Sequence, residues 1–220
     1  SFTVRGVPFA LRLPGIYNTE NALTSVCVGL SQRVPLEVMS QALGQMVGVP
    51  GRFERIDEGQ PFTAIVDYAP EPESLRQLYG AVDLSHPGRI IHVLGSCGGG
   101  RDVARRPVLG KMAAEKADIV IVTNEDPYDD DPLAIIAQVA EGARAAGKRE
   151  GEDLFLIPDR REALAKAVAL ARPGDLVLAT GKGAEQAIMI ADGKKMPWDE
   201  REELRKAIRA RISAPEKAAA

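Results

Sequence analysis

The chain has 220 residues, 45% of them hydrophobic and 27% charged, enough to bury the core of one large domain or of one domain with part of a neighbour. Twenty-eight Lys and Arg stand against 31 Asp and Glu, a formal net charge of −3 that excludes a nucleic-acid protein living on phosphate neutralisation. Cys27 and Cys97 fit no CxxC pattern, no apolar run reaches ~18 residues, and Ser1 to Arg12 is not built like a signal peptide. A disulfide scaffold, a cysteine-based metal site and membrane insertion are therefore not expected, and a cytoplasmic location is.

In chain order, Phe2-Thr3-Val4-Arg5 and Phe9-Ala10-Leu11-Arg12-Leu13 flank Gly6-Val7-Pro8 and predict a short hairpin, broken at Leu13-Pro14-Gly15. Asn18 is placed to cap a helix through Ala22, Leu23, Val26 and Leu30. A second helix follows Pro35, with Leu36, Met39, Leu43 and Met46 as its apolar stripe. Gly48, Pro50 and Gly51 then punctuate the chain and set a domain boundary, dividing it into residues 1–50 and 51–220.

Beyond that boundary, apolar runs suited to buried parallel strands recur at Phe62–Val66, Arg89–Leu94, Asp118–Val122, Asp153–Ile157 and Asp175–Ala179. Helical segments lie between them, near Glu73–Leu84, Arg106–Ala117, Leu133–Ala146 and Arg161–Ala171. Asp159 with Glu162 three residues on forms a capping box for the fourth, and Gly174 is expected as its C-terminal stop. A ribbon at Ala187–Met196 and an amphipathic helix from Asp199 to about Ile212 follow, and Ala214–Ala220 is expected to fray. The alternation predicts an α/β domain, doubly wound around a mostly parallel sheet with helices on both faces, whose ligands sit beyond the carboxyl ends of the strands.

Those ends carry the unusual residues: Asp67-Tyr68-Ala69-Pro70, then Gly95 to Asp102, then Thr123 to Pro132, then Thr180-Gly181-Lys182-Gly183-Ala184-Glu185. Gly98–Gly100 either forms a tight turn or lets the backbone approach a ligand that Arg101 grips by a carboxylate. Asp129–Asp131 read as a solvated loop ending in a helix cap before Pro132. Glu125 and Asp126 read equally as part of that loop or as a carboxylate pair for a substrate ammonium, with magnesium a weaker alternative. Gly181-Lys182-Gly183 is no phosphate loop, because no Ser or Thr follows the lysine and no GxxxxGK[ST] occurs anywhere. His86, before Pro87, belongs in a loop, and His92, inside a strand, reads as a packed core histidine. The chain thus offers a binding surface more clearly than a nucleophile.

As a set, Gly15-Ile16-Tyr17-Asn18-Thr19-Glu20-Asn21-Ala22-Leu23, Gly51-Arg52-Phe53-Glu54, Asp67-Tyr68-Ala69-Pro70, Gly98-Gly99-Gly100-Arg101-Asp102 and Gly181-Lys182-Gly183-Ala184-Glu185 come in the order seen in Mur ligases. The chain resembles that family from about Phe2 to Ile212, and most of all those members that add the third residue of the peptidoglycan stem peptide. The resemblance implies that residues 1–50 are the tail of a central ATPase domain and residues 51–220 the Rossmann-like, amino-acid-binding C-terminal domain. It implies an ATP-dependent ligase that joins diaminopimelate, lysine or a similar amino acid to UDP-N-acetylmuramoyl-L-alanyl-D-glutamate by way of an acyl phosphate.

By the same resemblance Asn18 lies near adenine, Arg52 near the ATP phosphates, and Asp67 binds the ribose. Arg101, Glu125, Asp126, Pro127, Tyr128, Gly181 and Glu185 hold the incoming amino acid. ATP and Mg2+ are the implied cofactors. The P-loop, magnesium ligands and modified lysine would lie upstream of Ser1, so this chain is expected to be inactive alone and to hold no catalytic residue and no metal site of its own. Three departures from the family pattern stand out. Tyr128 replaces an arginine and Asp126 an asparagine in the Asp-Asn-Pro-Arg motif, a shift toward negative charge that favours a distal ammonium, as in lysine or ornithine, over diaminopimelate. Pro70 and Ala184 replace histidines. Two other readings are a related ligase of the folylpolyglutamate or cyanophycin type, and a non-catalytic α/β module that binds an amino acid or nucleotide.

Overall fold

The computed structural model describes residues 1–85 and 88–213; His86 and the expected fraying at 214–220 lie outside the described residues. The first elements gather around their own core. β1 (Phe2–Val4) and β2 (Val7–Phe9) pair antiparallel around Arg5 and Gly6, whose φ values of 47° and 86° suit the mirror-image turn that strand twist favours. The second strand therefore starts at Val7, earlier than expected, and Pro8 pairs with Thr3. α1 (Tyr17–Ser31) and α2 (Leu36–Gln45) complete this part, with Phe9, Val26 and Met39 buried between them. Asn18 is not the cap of α1. Ile16 holds that position, and Asn18 sits inside the first turn with its Nδ2 donating to the Pro14 carbonyl at 2.6 Å.

The alternating half follows the expected runs to within a residue or two: β3 (Glu54–Arg55), β4 (Thr63–Val66), α3 (Pro72–Ser85), β5 (Ile90–Leu94), α4 (Arg105–Lys116), β6 (Ile119–Val122), α5 (Pro132–Ala145), β7 (Leu154–Leu156), α6 (Arg160–Leu170), β8 (Leu176–Ala179), β9 (Ala187–Ile190), β10 (Lys194–Pro197) and α7 (Glu200–Ser213). Six strands form one sheet in the order β3-β4-β8-β5-β6-β7, parallel except for the short edge strand β3, which no apolar run announces. Both faces are covered, so the strands read as continuous apolar runs rather than alternating ones. Alternate residues feed two cores. Ile90 and Leu94 pack with α3, α4 and α5, while Ile91 and Val93 pack with α6 and α7.

The helix ends are chemically specified. The Asp131 side chain accepts from the Leu133 amide, with Pro132 in the first turn, and Asp159 accepts from the amides of Arg161 and Glu162. Gly174 is not the stop of α6. The helix ends with Ala171 in extended conformation ahead of Pro173, and Gly174 (φ 86°) makes the turn into β8, donating its amide to the Pro61 carbonyl.

Topology places the site. The β4-to-β5 connection steps over β8, and α6 carries the chain back across the opposite face to β8. The loop after β8 is therefore flanked by those after β4 and β5, and at such a reversal the loops splay apart and leave a crevice.

α4 and α5 cross at two glycines. A Cβ on Gly110 would overlap the Val139 carbonyl oxygen, and one on Gly142 would overlap that of Pro107. Gly110→Ala gains about 1 kcal/mol of helix propensity yet forces two backbones apart. We expect a net loss of about 2 kcal/mol in urea denaturation, whereas a variant as stable as the parent would show the crossing to be looser than described.

Candidate functional site

The chain enters the sheet region through a tight approach. Gly51 (φ 65°) leaves no room for a Cβ against the backbone of Gly183 and Ala184, and its amide donates to Glu54 Oε2 at 2.8 Å. Phe53, also left-handed (φ 48°), donates its amide to Asp67 Oδ2 at 2.7 Å, and Asp67 Oδ1 accepts from the Ala69 amide at 2.8 Å. Asp67 thus staples segment 51–53 to the exit of β4. Burial raises its carboxyl pKa, a rise moderated by those two amides and by Arg52.

Between this segment and the start of α1 lies a cleft of about 1150 Å³, roomy by the standard of ~300–1,000 Å³ for small-molecule sites. Asn18, Arg52 and Asp67 all line it, 49 residues apart at the extremes, together with Tyr17. The guanidinium carbon of the exposed Arg52 lies over the Tyr68 ring, 4.3 Å from its centroid, a cation–π contact at the edge of the cleft.

Arg101, Glu125–Tyr128, Gly181 and Glu185 gather on the other side of Tyr68. A Cβ on Gly181 (φ 102°) would strike the Glu125 carboxylate, so the glycine is what allows that side chain to lie over the loop. Glu125 is 3% exposed and accepts from Cys97 Sγ at 2.9 Å. Burial raises its pKa, with the Cys97 hydrogen bond and Arg160 acting against the rise. Burial pushes the Cys97 thiol up as well, helped by the Glu125 charge, so this thiol is not a nucleophile. Tyr128 adopts φ 52°, donates its amide to the Met189 carbonyl, and rests its ring on the bare Gly99, where the Arg101 side chain bonds to it. The Gly98 amide donates to the Asp126 carbonyl at 2.8 Å, and Pro127 is buried behind it.

Lys182, in the glycine-flanked loop after β8, is completely buried. Its ammonium lies 2.8 Å from Asp126 Oδ1 and 2.6 Å from Glu185 Oε2. Burial opposes its charge, but the bonds to the two carboxylates outweigh that and raise its pKa. Asp126 Oδ1 also accepts from the Met189 amide at 2.7 Å. The expected negative charge of Asp126 is therefore met by Lys182, and the triad as a whole carries an excess of one negative charge.

Two supporting groups, Arg160 and Tyr68, were not singled out from sequence, and a third, His92, was read only as a core residue. Arg160, fully buried at the start of α6, donates to Glu200, to the Asn124 carbonyl at 2.8 Å and to the Thr180 carbonyl at 2.6 Å. Glu200 also accepts from Trp198 Nε1. A cation in the first turn of a helix opposes the helix dipole, and that anomaly is the signal sequence reading passed over. Tyr68 was quoted only within a motif. His92 is a core histidine as expected, yet it bridges Tyr79 (2.7 Å) and Thr180 Oγ1 (3.0 Å) and so braces the root of the 180–185 loop. Among the described residues no group of three His, Cys, Asp or Glu could hold a metal ion, and no helix is long and apolar enough to cross a membrane.

The family model described as "Mur ligase, glutamate ligase domain" matches residues 51–183. A UDP-N-acetylmuramyl-tripeptide synthetase from Roseiflexus sp. (strain RS-1) is 48% identical over 198 residues, 90% of this chain and 38% of the relative. A UDP-N-acetylmuramoyl-L-alanyl-D-glutamate–2,6-diaminopimelate ligase from Streptomyces coelicolor is 38% identical over 214 residues, 95% of this chain and 42% of the relative. A solved structure of another ligase of the latter name superposes with a TM-score of 0.68 at 30% identity, covering 94% of this chain and 41% of its own. The chain spans about two fifths of the length of these relatives.

Burial pushes the His92 pKa down to about 3 from an ordinary 6.5, with Arg160 adding to the shift. The unfolded chain therefore takes up this proton first, and the stability His92 contributes above pH 6.5 drains away as pH falls toward 3. Between pH 7 and pH 5 the wild type should lose up to about 2 kcal/mol relative to His92→Gln in urea denaturation. Parallel pH profiles for the two proteins would contradict a neutral, buried imidazole.

Proposed function

The chain belongs to the Mur ligase family, and from that premise we propose that it supplies the amino-acid-binding part, and one wall of the nucleotide site, of an ATP-dependent ligase. The full protein would extend UDP-N-acetylmuramoyl-L-alanyl-D-glutamate by one amino acid, as the printed names of its relatives describe for them. On this reading residues 1–50 close a central ATPase domain, residues 51–220 form the C-terminal domain, and the enzyme works in the cytoplasm.

The observation that carries the reading is the convergence of Asn18, Arg52 and Asp67 on one large cleft beside the loop cluster of Arg101, Glu125, Gly181 and Glu185. An amide suits a base edge, a guanidinium edge suits phosphate, and each Asp67 oxygen keeps a lone pair for a ribose hydroxyl after serving its backbone amide. On the other side Arg101 would take the carboxylate of the incoming amino acid. Glu125 and Glu185 would take its ammonium, with Asp126, Pro127 and Tyr128 shaping the wall. When the ligase runs, ATP activates the acceptor's carboxylate and the amine of the new residue attacks it; this chain's part is to hold both donors in register. Magnesium would arrive with the nucleotide, held by its phosphates.

The incoming amino acid is diaminopimelate, lysine or a similar diamino acid. Asp126 and Glu185 share one ammonium, so the surplus charge of that pair, which would favour a distal ammonium, is one unit rather than two.

Arg52→Gln tests the nucleotide half. The side chain is exposed, so the melting temperature should stay where it is, while the KM for ATP of the full-length ligase rises about tenfold, the ~1.4 kcal/mol of one charge-assisted contact. An unchanged KM for ATP would remove Arg52 from the nucleotide site.

A further inference from the structure

Tyr68 belongs to neither apolar core, although it leaves β4 beside Asp67, which is stapled in place, and Ala69, which is buried. Three contacts meet on it. Its ring face carries the Arg52 guanidinium at 4.3 Å. Its Cβ stands 3.0 Å from where a Cβ of Gly183 would be, so the glycine is bare on the side that meets the tyrosine. Its hydroxyl interacts with Glu185, the carboxylate that Lys182 holds at 2.6 Å. Arg52 lines the nucleotide cleft and Glu185 ends the loop after β8, so one side chain touches a member of each half of the site.

We propose that Tyr68 is the positioning residue that joins the two halves: its ring presents the Arg52 guanidinium to the nucleotide, and its hydroxyl orients Glu185 for the incoming ammonium. The inference rests on the functional reading above and adds to it a separable division of labour within one side chain. A guanidinium seated over an aromatic ring is restrained by the ring's quadrupole, and its N–H donors stay available to a phosphate in the cleft that Arg52 lines. A carboxylate that meets both an ammonium and a phenol has fewer orientations left to it than a free one. Burial and the neighbouring Glu185 both raise the phenol's pKa, so Tyr68 stays protonated as a donor across the neutral range.

The ring and the hydroxyl can be removed separately. Steady-state kinetics of the full-length ligase would be measured with ATP, the acceptor dipeptide nucleotide, and whichever of lysine, ornithine or diaminopimelate the wild type uses. Tyr68→Phe keeps the seat for Arg52 and removes the donor to Glu185. The KM for the amino acid should rise about tenfold with the KM for ATP within twofold of wild type. Tyr68→Leu removes both, and the KM for ATP should then rise as well. Melting temperatures of both variants close to that of the wild type separate this from a general loss of packing. An unchanged amino-acid KM in Tyr68→Phe overturns the proposal while leaving the ligase reading intact. Equal rises in both constants with a lowered melting temperature in Tyr68→Phe also overturn it, because they mark a merely structural residue. A wild type that turns over no ATP with any of the three amino acids overturns the reading and the proposal together.

Discussion

One buried guanidinium organises this molecule. Arg160 has given up water on every side, a cost of several kcal/mol for any ion, and recovers it through Glu200 and two backbone carbonyls. Those carbonyls belong to Asn124 and Thr180, the residues from which the two ligand loops depart at the ends of β6 and β8. Glu200 opens α7, and two arginines farther along that helix, Arg201 and Arg205, reach Glu54. Glu54 in turn accepts from the amide of Gly51, where the chain enters the sheet region and turns Arg52 toward the cleft. A hydrophobic residue at position 160 could fill the space, but it could not fix three separate segments at once.

Around that anchor, charge is distributed by pairing rather than by accumulation. Asp126 and the partly exposed Glu185 flank the buried Lys182 ammonium, Asp67 is satisfied by amides, and Glu125 leans on a thiol and on the field of Arg160. The result is a set of oriented acceptors with modest surplus charge, which suits a ligand that carries both signs. Glycines 51, 99, 181 and 183 mark the places where backbone or side chain must come closer than a Cβ permits. They are the steric counterpart of the ion pairs.

Much of this was legible in the order of residues along the chain. Buried parallel strands have no choice but to be continuously apolar, so β4 to β8 were readable as runs, and Asp131 and Asp159 announced their helices by local hydrogen bonds. The loops proposed to hold ligand stood out because the unusual residues of such sheets collect where strands end. What stayed hidden depends on partners far away in sequence. Lys182 lies between two glycines in a loop, and its partner Asp126 stands 56 residues earlier. Asn18 had the chemistry of a cap but spends it on Pro14, and β3 is only two residues long, too short for any periodicity. Arg160 was masked by its neighbour Asp159, whose capping signal explained the local pattern well enough.

Amide hydrogen exchange measures the central claim directly, because it reports each loop separately. In Glu200→Gln the Arg160 guanidinium loses its counter-charge but not its space. If Arg160 is the common anchor, the amides of Tyr128, Glu185 and Met189 should lose protection together, while those of α1 and α2 keep theirs. Loss of protection confined to α6 and α7, with both ligand loops as slow to exchange as in the wild type, would contradict it.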